Sequence, residues 1–404
     1  MPHSWSRSAT IPGSELTLED GTTSPQDLIY TVTPITEEGC DGEDFKVTIT
    51  VNPTPTMDAP PNIEVCNGEE VVIDFTTENT GGVTTYEWSI INGPEIGLPD
   101  STTDITDSDS DITFTASNPD PDPRVVIVSV TPIFTNNGVE CTTSPAETFT
   151  ITVNPEPQID DFTETICEGD TFASILPEND TNGVVPSGTI YTWVIADESS
   201  DLIIGGSAST TASATIPGSE LTLVNDTTSP QDLIYTVTPN TEEGCEGEPF
   251  TVTITVNPTA QVNQPENLTL CNGDTAEIDF TTLNQGGDTT YVWQVVLDES
   301  DDIGPITNQG SDQGNINLAV ENNTFDVLTA TIEVIPTYTN NGEQCEGPSK
   351  EFTISVLPTA QVQQVESFTV CNGDEINEIV FETLIEAFGD SLALSILSSF
   401  AEIS

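Results

Sequence analysis

Residues 9–54 of this chain return, almost letter for letter, at 214–259. The segments "ATIPGSELTL", "TTSPQDLIYTVTP", "TEEGC" and "VTITVNPT" occur in both stretches, always 205 positions apart. Inside that offset runs a shorter period of about 100 residues, marked by Cys66, Cys167, Cys271 and Cys371 and again by Cys40, Cys141, Cys245 and Cys345. A chain built this way is an array: each unit is one packing module, and units stack along the chain rather than merging into one core.

Each unit opens on a Cys-x-Gly turn ("VCNGEE", "ICEGDT", "LCNGDT"), continues into an apolar stretch, and reaches a Tyr-x-Trp segment ("TYEWSI", "IYTWVI", "TYVWQV"). An acidic variable loop follows, then a "VTP"-like segment, the second Cys and a closing segment such as "ETFTITVNP". In that closing segment Phe149, Ile151 and Val153 alternate with Thr148, Thr150 and Thr152, which is the period of a half-buried strand. The alternation returns at Phe250, Val252, Ile254 and Val256, and at Phe352, Ile354 and Val356. Roughly seven short β-branched strands per unit, broken by Gly, Pro and Asn turns, predict an all-β chain of tandem immunoglobulin-like antiparallel β-sandwiches in an extended array.

The joints read "NPTPT", "NPEPQ", "NPTAQ" and "LPTAQ", where proline ends a strand and stiffens a short linker. Complete repeats are expected at 56–155, 156–257 and 258–357. Residues 1–55 read as the C-terminal half of a truncated repeat, and 358–404 as the N-terminal part of another with an aberrant tail, "GDSLALSILSSFAEIS".

Charge narrows the partners. Four Lys and Arg against 68 Asp and Glu give a formal net charge of −64, and such a field repels nucleic acid and anionic lipid surfaces. The strand-like alternation argues against disorder, and a solvated acidic surface suits a salty or calcium-containing exterior, where screening shortens self-repulsion to about 8 Å or less. No segment approaches the roughly 20 apolar residues of a membrane span, and the start, "MPHSWSRSAT", has no apolar signal-peptide core.

Eight regularly spaced cysteines point to disulfides and an oxidising compartment outside the cytosol. Pairing within a repeat joins Cys66 to Cys141, Cys167 to Cys245 and Cys271 to Cys345, keeps each module self-contained and is preferred. It meets a geometric objection, because strands of six residues would hold the two cysteines about 20 Å apart, beyond the roughly 7 Å that a disulfide spans. The alternative pairs neighbouring repeats as 40/66, 141/167, 245/271 and 345/371, each 26 positions apart.

Other chemistry is sparse. Ser-His-Asp and Cys-His machinery needs a histidine, and the lone His3 sits outside the repeats, so no catalytic residue is assigned and no enzymatic role is expected. Asp107, Asp109 and Asp111 alternate in "TDSDSDIT" and offer hard oxygen ligands of the kind Ca²⁺ takes. The loop is not an EF-hand, since Ile112 and Asn118 stand where its Gly and Glu belong. Trp88 shares a strand face with Thr84, Tyr86 and Ile90, opposite Thr85, Glu87 and Ser89. Tyr86 and Trp88, Tyr191 and Trp193, and Tyr291 and Trp293 are therefore expected as core aromatics rather than a sugar-stacking platform.

With these motifs together, the units resemble the PKD-like repeats of Bacteroidota surface proteins. Such repeats occur in tandem in large exported proteins, including gliding-motility-associated adhesins carried by the type 9 secretion system. The Trp-Asp-Phe-Gly-Asp-Gly signature of the PKD domain proper is absent, with "YEWSIING" in its place, so the likeness is to the PKD-like relatives. The resemblance implies a secreted or cell-surface spacer stalk whose partners are neighbouring repeats. Two other readings follow from the same features: a module binding a glycan or protein through its variable acidic loops, and accessory domains of a secreted enzyme.

Overall fold

A computed structural model describes residues 10–11, 13–99, 105–106, 112–142, 144–296, 302–306, 311–371 and 373–382. The alternating segments are strands, and each set of strands closes around its own core. Ahead of the first sandwich, β1 (Gln26–Val32) and β2 (Phe45–Val51) form an antiparallel pair.

The first sandwich contains β3 (Ile63–Cys66), β4 (Glu70–Ile73), β5 (Val83–Asn92), β6 (Ile105–Thr106), β7 (Ile112–Thr115), β8 (Arg124–Asn136), β9 (Val139–Cys141) and β10 (Glu147–Asn154). Its larger sheet runs β3-β10-β8-β5-β6, with β9 hairpinned onto β8, and the β4–β7 pair forms the facing layer. All these pairings are antiparallel except β3 with β10, which is parallel and sets Cys66 beside Asn154.

The second sandwich comprises β11 (Gln158–Ile159), β12 (Phe162–Cys167), β13 (Gly183–Val184), β14 (Ile190–Ile195), β15 (Ile203–Ile204), β16 (Ser209–Ser213), β17 (Thr222–Leu223), β18 (Gln231–Asn240) and β19 (Phe250–Asn257). Its main sheet runs β12-β19-β18-β14-β16. The third holds β20 (Leu268–Cys271), β21 (Thr275–Ile278), β22 (Asp288–Val296), β23 (Ser311–Gln313), β24 (Ile316–Ala319), β25 (Leu328–Asn340), β26 (Glu343–Glu346) and β27 (Lys350–Leu357), in the order β20-β27-β25-β22-β23. In both, the strand that ends on the first cysteine again pairs in parallel with the last, Cys167 beside Asn257 and Cys271 beside Leu357.

Burial follows the period of two. Phe149, Ile151 and Val153, Phe250 to Val256 at alternate positions, and Phe352, Ile354 and Val356 all lie inside, one set in each of three separate cores. On the Tyr-x-Trp strand Ile90 keeps its in-register pairing with the buried Val128 but is 38 % exposed, at the end of the regular β5–β8 ladder, which shifts register before Asn92.

Each sandwich has two distinct poles. The chain enters at one and leaves at the other, where the last strand finishes. The first cysteine of a repeat sits at the exit pole, beside the final residue or residues of the last strand. The second cysteine sits at the entry pole, on the far side of the hairpin after the longest strand: Cys141 lies opposite Phe134 and Cys345 opposite Tyr338.

Candidate functional site: the joints between repeats

The disulfides correct both pairing schemes. Cys66 is bonded to Cys245 with Cα atoms 5.6 Å apart, and Cys167 to Cys345 with Cα atoms 5.5 Å apart. Each bond ties the first cysteine of one repeat to the second cysteine of the next, while Cys141 and Cys271 are thiols.

The reason is the pole geometry. Cys66 lies beside Asn154, next to Arg124 on β8, whereas Cys141 lies opposite Phe134 on the same strand. Ten strand steps separate Arg124 from Phe134, and at about 3.3 Å each they hold the two cysteines of a repeat roughly 33 Å apart. Pairing at a spacing of 26 fares worse, since it would join an entry pole to the exit pole of the repeat that follows. Exit pole to next entry pole is the short path.

Glycine makes that approach possible. Gly247 and Gly347, each two residues after a second cysteine, donate their N–H groups to Pro239 O (3.1 Å) and Pro336 O (3.0 Å). A Cβ on either would strike a linker carbonyl, of Pro157 and Ala260 respectively, so the cysteine hairpin lies flat against the linker that enters its own repeat. At the exit pole the Cys-x-Gly turn is pinned from three sides. Cys66 N–H donates to Glu69 Oε2 (3.0 Å), Asn67 N–H to Asn154 O (2.9 Å) and Gly68 N–H to Ala116 O (2.8 Å).

Hydrogen bonds complete two of the joints in matching fashion. Thr80 N–H donates to Thr23 O (2.9 Å) and, 205 positions on, Gln285 N–H donates to Thr228 O (2.8 Å). Asn136 Nδ2 donates to Asn52 Oδ1 (2.8 Å), and Asn340 Nδ2 to Asn257 Oδ1 (2.9 Å). The linkers themselves are clamped by two asparagines that sequence reasoning missed, Asn79 buried and Asn284 half-buried. Asn79 accepts from Thr56 N–H (2.6 Å) and donates to Thr54 O (3.1 Å); Asn284 accepts from Gln261 N–H (2.6 Å) and donates to Thr259 O (3.1 Å). A signal existed, because both stand in Asn-x-Gly-Gly at the 205 offset. It reads equally well as an ordinary turn.

The aromatic residues lie in the cores. Trp88, Trp193 and Trp293 are 4 %, 5 % and 1 % exposed, and Tyr86 and Tyr191 are equally buried, while Tyr291 is half-buried against the third core. Trp193 Nε1 donates to Ser207 O (2.8 Å), whereas Trp88 Nε1 and Trp293 Nε1 have no partner among the described residues. Phe75 packs on Tyr86 and Phe280 on Tyr291, with ring centroids 5.3 and 5.4 Å apart. Burial pushes the Tyr191 hydroxyl up to about 12 and raises that of Tyr235. The three tryptophans are thus packed into their own cores.

Asp107, Asp109 and Asp111 lie outside the described residues, as does His3. Among the described residues no group of three or more His, Cys, Asp or Glu is arranged to hold a metal ion, and no helix is long and apolar enough to cross a membrane.

The PKD-like domain family matches residues 9–55 and 164–260. No curated protein matches the chain. Among solved structures the chain is similar to an I-band fragment of titin (10 % identity, 77 % of this chain and 100 % of that one, TM-score 0.33). It is also similar to human CDH23 EC21–23 (12 %, 76 % and 100 %, TM-score 0.31) and to the insect immune protein hemolin (13 %, 77 % and 79 %, TM-score 0.25). The family model thus matches parts of the chain, and the strand order of each sandwich is that of an Ig-like repeat. Tandem domains of this kind with disulfides are typical of extracellular adhesion or spacer modules and are generally non-catalytic.

Proposed function

We propose that this PKD/Ig-like repeat protein is a spacer stalk segment of a large exported bacterial surface protein, holding other parts away from the cell in support of adhesion or gliding. Its repeats are taken as 56–155, 156–257 and 258–357. One observation carries the reading: each disulfide crosses a joint, so the covalent links stabilise the relation between repeats rather than the interior of any one. An isolated binding domain gains little from such a bond, whereas a spacer gains fixed length. The acidic surface keeps the segment solvated and away from anionic membranes. The motif resemblance to Bacteroidota gliding-associated proteins supports export by the type 9 route.

Small-angle scattering with and without reductant tests this. The oxidised chain should give the profile of a rod, and the maximum dimension should become more broadly distributed once the bonds are reduced. An oxidised chain that folds back on itself, with repeats packed side by side, would rule out the spacer reading.

A further inference from the structure

Four thiols stand among the described residues: Cys40, Cys141, Cys271 and Cys371. All four occupy repeat positions that are bonded elsewhere in the same chain, and two of them, Cys141 and Cys271, belong to complete sandwiches. Cys271 ends β20 beside Leu357, as Cys66 ends β3 beside Asn154 and Cys167 ends β12 beside Asn257. Its turn is built the same way: Cys271 N–H donates to Asp274 Oδ2 (2.9 Å), Asn272 N–H to Leu357 O (3.1 Å) and Gly273 N–H to Val320 O (2.9 Å). Cys141, opposite Phe134, holds the hairpin position that Cys345 holds opposite Tyr338. Cys345 and Cys245 are buried in their bonded state, whereas Cys141 is only half-buried.

We propose that Cys271 and Cys141 are the two complementary halves of one further rung: Cys271 takes the second cysteine of a PKD-like repeat placed after it, and Cys141 takes the first cysteine of one placed before it. The cysteine itself is only part of the reason. Its equivalents are bonded at both joints that carry a disulfide here, and those joints differ otherwise: the matching Asn–Asn contact is found at 257/340 beside Cys167–Cys345, while the linker into the second repeat instead pairs Gln158 and Ile159 with Val184 and Gly183. The rung thus needs only the poles, which Cys271 and Cys141 already present. In forming it, the two thiols lose two protons and together two electrons to a disulfide oxidant such as oxidised glutathione, which departs as two thiols.

The full chain is labelled first with a thiol reagent under denaturing, non-reducing conditions, and peptide mapping should find four modified cysteines with Cys271 and Cys141 among them. Residues 1–357 are then joined directly to residues 53–404, which places a Cys141-bearing repeat after the Cys271-bearing one and raises the cysteines to fourteen. After oxidation by the glutathione couple the labelled thiols should stay at four, with a new Cys271–Cys141 peptide pair, and Cys271→Ser in the first copy should raise them to five. A second chain, residues 1–357 joined to 258–404, offers the repeated Cys345 instead and should yield a Cys271–Cys345 pair. Cys271 left as a thiol in both chains, or bonded to any first cysteine, overturns the proposal.

Discussion

Pulling the chain from its two ends would expose the loop arrangement directly. The bonds close loops of 179 and 178 residues that overlap between positions 167 and 245. With both intact, the shortest covalent path from Cys66 to Cys345 crosses to Cys245, runs back 78 residues to Cys167 and crosses again. At about 3.4 Å per extended residue that path allows roughly 270 Å, against roughly 950 Å for the 279 residues of the reduced chain. Removing one bond barely helps. Cys66→Ser leaves a path of 101 residues from 66 to 167, and Cys167→Ser leaves 100 residues from 245 to 345, so either adds only about 75 Å. The double variant adds about 680 Å. Force spectroscopy on the oxidised wild type, the two single variants and the double variant should therefore show a small step and then a very large one. Equal increments for the two single removals that sum to the double would refute overlapping loops and point to bonds confined within repeats.

Other outcomes follow from the cores and joints. Trp193→Phe should cost about 1 kcal/mol more than Trp293→Phe in chemical denaturation, because of the two only Trp193 gives up a hydrogen bond, the part-buried one to Ser207. Gly286 has φ of +82° and a Cβ there would meet Pro230 Cδ at 2.9 Å; Gly286→Ala should weaken the joint by about 1–2 kcal/mol, read as faster hydrogen exchange at Gln285 while exchange in β25 stays unchanged. The Tyr191 hydroxyl, held at about 12 by burial, stays protonated when folded and ionises near 10 when unfolded. The unfolded chain thus releases that proton first, so this group's contribution to stability is constant below pH 10 and is lost between pH 10 and about 12; Tyr191→Phe should lessen the fall in melting temperature over that range, and an identical fall would refute it.

Strand positions were legible because alternation at Phe250, Val252, Ile254 and Val256 has one physical solution, and three copies of it fix the unit. The placement of the Tyr-x-Trp face was legible for the same reason; how far the core extends along it was not, since Ile90 keeps its pairing with Val128 and is still exposed. Disulfide pairing was not legible. Spacing along a sequence carries no record of which pole a residue occupies, and the parallel pairing of β3 with β10 that puts Cys66 at the exit pole joins residues nearly ninety positions apart. The two cysteines of one repeat lie even farther apart than a six-residue strand implies, because β8 runs over 13 residues. Net charge, the most conspicuous number in the composition, decided nothing about the fold.

Because the two loops overlap, the segment tolerates being cut. A single backbone break anywhere between Cys66 and Cys345 leaves the pieces joined, and so does one break in each of any two of the intervals 66–167, 167–245 and 245–345. Only when all three are severed does Cys66 part from Cys345. For a protein facing hydrolytic enzymes with no means of repair, that redundancy lets damage accumulate without the attachment being lost.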